Sequence, residues 1–82
     1  MSTLSNKQIM ILEILNKNPS ITPSQIVEFL DKGEYKDKNN AIRSVNNILK
    51  RLLNMGFVER RKRGNTFLYN LSGKGKTLFA EA

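Results

Sequence analysis

The sequence predicts a mainly α fold carrying one β-hairpin, an α+β arrangement in a single domain over residues 1–82. Three observations predict it. Two helix-start signals of the same kind, Ser5…Gln8 and Thr22-Pro23…Gln25, each precede apolar residues at helical spacing. A long amphipathic run, 39–55, is stopped by Gly56. Strand-like residues then flank Gly64-Asn65, a pair suited to a tight reversal between two strands.

The first helix is predicted over 5–17. Ser5 is its N-cap, Gln8 completes a capping box, and Leu4 and Ile9 are spaced as a hydrophobic staple. Ile9, Leu12 and Leu15, with Ile11 and Ile14 beside them, make a stripe broad enough to serve both a core and a dimer contact. Asn18-Pro19 ends the helix, because the residue before proline avoids helical angles. Ser20-Ile21 is an extended link, counted as a short first strand. Thr22 caps a second helix over 23–31, with Pro23 at the first position, where its missing N–H costs nothing. This helix buries Ile26, Leu30 and one of Val27 or Phe29. Residues 31–38 are a polar connection, and Asp37, Asn39 or Asn40 caps the next helix.

The third helix, 39–55, carries the clearest two-sided pattern. With 3.6 residues per turn, Ala41, Ile42, Leu49 and Leu52 crowd around Val45, with Ile48 and Leu53 on the flanks. Asn40, Arg43, Asn47, Lys50 and Asn54 collect opposite, a face of amides and cations with no acid. Gly56 ends it in the left-handed conformation that glycine tolerates. The hairpin follows over 57–71. With Gly64 and Asn65 as loop residues, Val58 faces Leu71, Arg60 faces Tyr69 and Lys62 faces Phe67. That register turns Val58, Tyr69 and Leu71 toward the helices and Arg61 and Arg63 away, and lays the stems of Arg60 and Lys62 along aromatic rings. Ser72 caps a last helix over 73–81, with Leu78 and Phe79 apolar.

Charge is distributed unevenly. Residues 1–41 hold five basic and five acidic side chains, and residues 42–82 hold nine and two, so the whole net charge of +7 lies in the second half. Such asymmetry suits a polyanionic partner met by one side of the fold, nucleic acid before a membrane surface. The absence of cysteine and histidine excludes disulfides, thiol nucleophiles and Cys/His zinc sites. No secretion signal or membrane-spanning run is read, and the expected location is cytoplasmic. The scattered carboxylates give no basis for an enzyme, and no cofactor is expected. Gly73-Lys74-Gly75-Lys76-Thr77 imitates the end of a phosphate-binding loop, but position 70, where such a loop needs glycine, is Asn70. It is read instead as a flexible lead into the last helix.

Against this background the run Val45-Asn46-Asn47-Ile48-Leu49-Lys50-Arg51-Leu52-Leu53-Asn54-Met55-Gly56-Phe57-Val58-Glu59-Arg60 resembles the recognition helix and wing of winged helix-turn-helix DNA-binding proteins. Leu71-Ser72-Gly73-Lys74-Gly75-Lys76 is similar to the exit from the wing in small bacterial and archaeal MarR-type and related transcriptional regulators, and Asn18–Thr22 is similar to their link into the second helix. The resemblance implies that the third helix enters the major groove and the wing touches the backbone or the minor groove. It implies a sequence-specific regulator binding double-stranded DNA, expected here as a homodimer without a dedicated small-molecule ligand. The residues fit: Arg43 suits a guanine, Asn40 or Asn47 an adenine, and Ser44 is a short donor near the same end. Ser24, Lys50, Arg51, Arg60, Arg61, Lys62, Arg63 and Asn65 suit the DNA backbone, as could the Thr22 hydroxyl, for which capping alone suffices. Arg43 and Asn47 could instead meet only phosphate or solvent. A nonspecific packaging protein and a winged-helix protein-interaction module remain as alternatives.

Overall fold

The computed structural model describes residues 4–30 and 37–80. Its elements are α1 (Asn6–Lys17), α2 (Pro23–Phe29), α3 (Lys38–Met55), β1 (Val58–Arg63), β2 (Thr66–Leu71) and α4 (Gly73–Ala80). This is the predicted order of helices and hairpin. The second half of the 31–38 connection's neighbourhood gives the missing cap: Asp37 accepts the N–H of Asn40 at 2.8 Å, so α3 begins one residue earlier than expected. The second helix stops at Phe29, short of the predicted 31, because Leu30 is already extended, with φ −86° and ψ 161°. Asp31 itself, most of the polar connection and the end of the last helix at Glu81 lie outside the described residues.

Both capping boxes form. Ser5 Oγ accepts from Gln8 N while Gln8 Oε1 accepts from Ser5 N, and Thr22 and Gln25 repeat the exchange. Each satisfies N–H groups that a helix start otherwise leaves without partners. The short first strand is reduced to one bridge. Ile21 and Tyr69 exchange N–H···O bonds of 3.3 and 2.8 Å. It goes no further because Thr22 is already a helix cap and Ser20 has φ +61°. That left-handed backbone costs roughly 1–2 kcal/mol for a residue other than glycine. Asn70 Oδ1 offsets it by accepting both the N–H and the hydroxyl of Ser20.

The hairpin has the expected register: Val58 pairs with Leu71, Arg60 with Tyr69 and Lys62 with Phe67. Gly64, with φ +61°, takes the first loop position, where a reversal that matches strand twist needs a positive φ.

The core gathers Ile11, Leu12 and Leu15 of α1, Ile26 of α2, Val45, Leu49 and Leu52 of α3, and Val58, Tyr69 and Leu71 of the hairpin. Two apolar residues, Ile9 and Ile42, depart from expectation. Ile9 is exposed, because the buried stripe of α1 centres on Ile11 and Leu15. Of the two residues expected to compete for the third apolar place on α2, Val27 takes it, half-buried, and Phe29 is exposed. Ile42, expected beside Val45, is half-buried and does not pack on the core.

The lead into α4 is not a flexible segment. Gly56, φ +84°, and Phe57 close α3 in a Schellman motif: Gly56 N–H donates to Leu53 O and Phe57 N–H to Leu52 O. The next free carbonyls are taken by the far end of the hairpin. Ser72 N–H donates to Phe57 O at 3.0 Å, Ser72 Oγ donates to Gly56 O, and Lys74 Nζ donates to Met55 O at 2.9 Å. Gly75 lies so close beneath that a Cβ there would stand 2.1 Å from Phe57 O. Gly73 has no atom within 4 Å of the equivalent point. Gly75→Ala should therefore cost about 1–3 kcal/mol through overpacking, whereas Gly73→Ala should be neutral or slightly stabilising. Urea unfolding of both variants checks the contrast.

Candidate nucleic-acid interface

Two features of α3 define the surface. Its buried residues, Ala41, Val45, Leu49 and Leu52, seat it on the core, which turns Arg43, Asn47, Lys50, Arg51 and Asn54 to solvent. Its end is tied to the hairpin, so the exposed run Arg60-Arg61-Lys62-Arg63 stands at a fixed place beside it. Among the described residues, Arg43, Lys50, Arg51, Arg61, Lys62 and Arg63 have no ion-pair partner. The ion pair Lys38–Glu28, 3.4 Å, joins the start of α3 to α2, and both side chains are exposed. Arg60 stands over the Phe67 ring at 4.4 Å from its centroid, a cation–π contact that orders its stem along the hairpin as expected.

Between α3 and the hairpin lies an open cleft of about 290 Å³. The start of α2 supplies Thr22, Pro23 and Ser24, α3 supplies Ile42 and Asn46, and the hairpin supplies Asn65, Thr66, Phe67 and Tyr69. The fold thus brings together two residues expected at a backbone contact, Ser24 and Asn65, that are 41 positions apart in sequence. Thr22 joins them while acting as the cap of α2.

The residues expected at base edges divide. Arg43 and Asn47 are exposed on the outer side of α3. Asn40 is exposed too, but its Nδ2 donates to the cap carboxylate of Asp37 at 3.3 Å, so a base would have to compete for it. Ser44 is half-buried. At about 100° per residue it points nearly opposite to Asn46. Asn46 itself was missed: on the wheel it falls between the apolar and polar faces. Its spacing of one turn from Ile42 was the available signal.

No group of three or more His, Cys, Asp or Glu residues able to hold a metal ion occurs among the described residues, and none of their helices is long and apolar enough to cross a membrane.

The sequence profile of a family described as the penicillinase repressor matches residues 4–78. That family is one of repressors rather than enzymes. No curated protein gives a significant match. Among solved structures, the PcaV transcriptional regulator from Streptomyces coelicolor, in complex with its natural ligand, aligns with a TM-score of 0.72 at 17% identity over 94% of this chain and 51% of that one. The oxidized form of MarR from E. coli aligns at 0.72 and 24% identity over 95% of this chain and 52% of MarR. The transcriptional regulator SlyA gives 0.72 and 24% over 96% and 52%. This chain spans about half the length of those three, and at such identities the likeness is one of fold, the winged helix-turn-helix.

Proposed function

The chain belongs to the penicillinase repressor family, and from that membership we propose a transcriptional regulator that binds double-stranded DNA sequence-specifically, as a homodimer, in the cytoplasm. One observation carries the reading: the exposed side of α3 holds amides and cations without an acid, and it continues onto the four cations of β1. An α-helix fits the major groove, and a basic hairpin beside it meets the backbone or the adjoining minor groove. In this arrangement Arg43 and Asn47 face base edges. Asn40 and Ser44 support them from the same end of α3. Lys50, Arg51 and the run Arg60 to Arg63 neutralise phosphates, with Ser24 and Asn65 adding neutral hydrogen bonds to the backbone.

The homodimer rests on apolar side chains that the fold leaves outside. Ile9 is 40% exposed, Met10 37% and Leu78 44%. Phe79 is half-buried against the core, which narrows the α4 contribution to Leu78. A domain this small gains little from its own core, and pairing would cover this surface.

Binding measured by fluorescence anisotropy, on sites selected from random duplex and on random duplex itself, separates the roles. Arg43→Ala should weaken selected sites about five- to a hundredfold more than random DNA, the value of losing one bidentate base contact. Lys62→Ala should weaken both alike and lower the log–log salt slope by about 0.9. Equal losses in the two variants would mark Arg43 as a phosphate contact and favour a nonspecific binder. No binding to any duplex would favour a protein-interaction module.

Sedimentation at high micromolar concentration should return a dimer that Leu78→Asp shifts toward monomer. A monomeric wild-type protein would remove the homodimer from the proposal.

A further inference from the structure

The cleft between α3 and the hairpin lies beside the cations of both elements, yet the described residues that line it are uncharged. Among the described residues neither a cation nor a carboxylate lines it; Ile42 and Asn46 of α3 face Ser24, Asn65, Thr66 and Phe67 across it. The cations stand outside, with Arg43 next along α3 and Arg60 stacked on the Phe67 ring. Ile42 is the odd member. It is half-buried, it does not pack on the core, and its side chain borders the cleft.

A phosphate seated in this cleft would call for a cation there. The cleft offers an apolar branched side chain, a carboxamide and hydroxyls instead, while the surrounding cations match phosphates on either side. An apolar group beside a carboxamide is the pairing that an A·T base pair requires in the major groove. The carboxamide meets adenine N6 and N7, and the apolar group meets the thymine 5-methyl. Ile42 and Asn46 are one helical turn apart, about 5–6 Å between Cβ atoms, so they share a side of α3. Base pairs rise about 3.4 Å, so two side chains at that spacing reach the same base pair or adjacent ones.

We infer that Ile42 and Asn46 together read an A·T pair, Ile42 against the thymine 5-methyl and Asn46 on adenine. The inference rests on the DNA-binding reading above and adds two specificity-determining residues to it. It assigns Ile42 a reason for standing outside the core.

The test uses the full chain and a duplex selected from a random-sequence pool, with each thymine replaced in turn by uracil, which removes only the 5-methyl. At one thymine, uracil should weaken wild-type binding about fourfold, the worth of one buried methyl group. The same replacement should leave Ile42→Ala unaffected and should keep part of its effect in Ile42→Val, which retains the branched shape if the alanine variant folds poorly. Asn46→Ala should lose the preference for adenine at the paired or adjacent position. A uracil penalty of equal size in wild type and Ile42→Ala, or no penalty at any thymine in wild type, overturns the inference and leaves the regulator reading standing. Failure of wild type to bind any duplex overturns both.

Discussion

The three carbonyl groups at the end of α3, those of Met55, Gly56 and Phe57, are each claimed by a residue from the far side of the hairpin. A helix end leaves such acceptors open, and a buried one left open is costly. Here Ser72 and Lys74 take them, and Ser72 Oγ also accepts from Gly75 N at 3.1 Å to begin α4. Lys74 completes the closure by lying over the Phe57 ring, 4.8 Å from its centroid. A two-stranded hairpin alone is marginal in water. This one is held at both ends, by the Schellman turn on one side and by the start of α4 on the other. Tyr69 pins its middle to Ile21.

That closure is what makes the surface a single unit. The cations of α3 and those of β1 come from segments that could otherwise swing independently. Joined at Gly56–Phe57, α3 and the root of the hairpin keep one spacing. The same interaction accounts for the glycine-lysine run after β2. Its resemblance to a phosphate-binding loop is incidental: Gly75 is needed because Phe57 O leaves no room for a Cβ, and Lys74 caps a helix.

Much of this was legible in the residues. The capping boxes at Ser5 and Thr22 are local, needing three residues each, and local chemistry is written in local sequence. The hairpin register was readable because Gly64-Asn65 admits one tight reversal and the pleat then determines every facing pair. What escaped was whatever depends on the neighbours an element meets. A wheel places Ile42 near Val45, but whether that flank meets core or open cleft depends on how α2 and the hairpin stand beside α3. Asn46 escaped for the same reason, and so did the joining of Ser24 to Asn65. The choice of Asp37 as cap was underdetermined because three of the four residues from Asp37 to Asn40 had suitable side chains. The short strand at Ile21 was overread, because its neighbours Ser20 and Thr22 were already committed to a left-handed turn and a cap.

The hairpin is also a cantilever. Its root is clamped by the carbonyl contacts at 55–57, and its middle rests on Ile21, while Arg63, Gly64, Asn65 and Thr66 project into solvent at the tip. Compliance therefore rises along the run from Arg60 to Arg63. Arg60, braced on Phe67, holds a fixed bearing; Arg63, beside a glycine turn, can follow a surface that varies. A polyanion lying along this arm would meet a stiff reference point near the helix and an adjustable fingertip beyond it. Differences in groove width from one sequence to another could then be absorbed by bending at the tip, without shifting α3 from its seat.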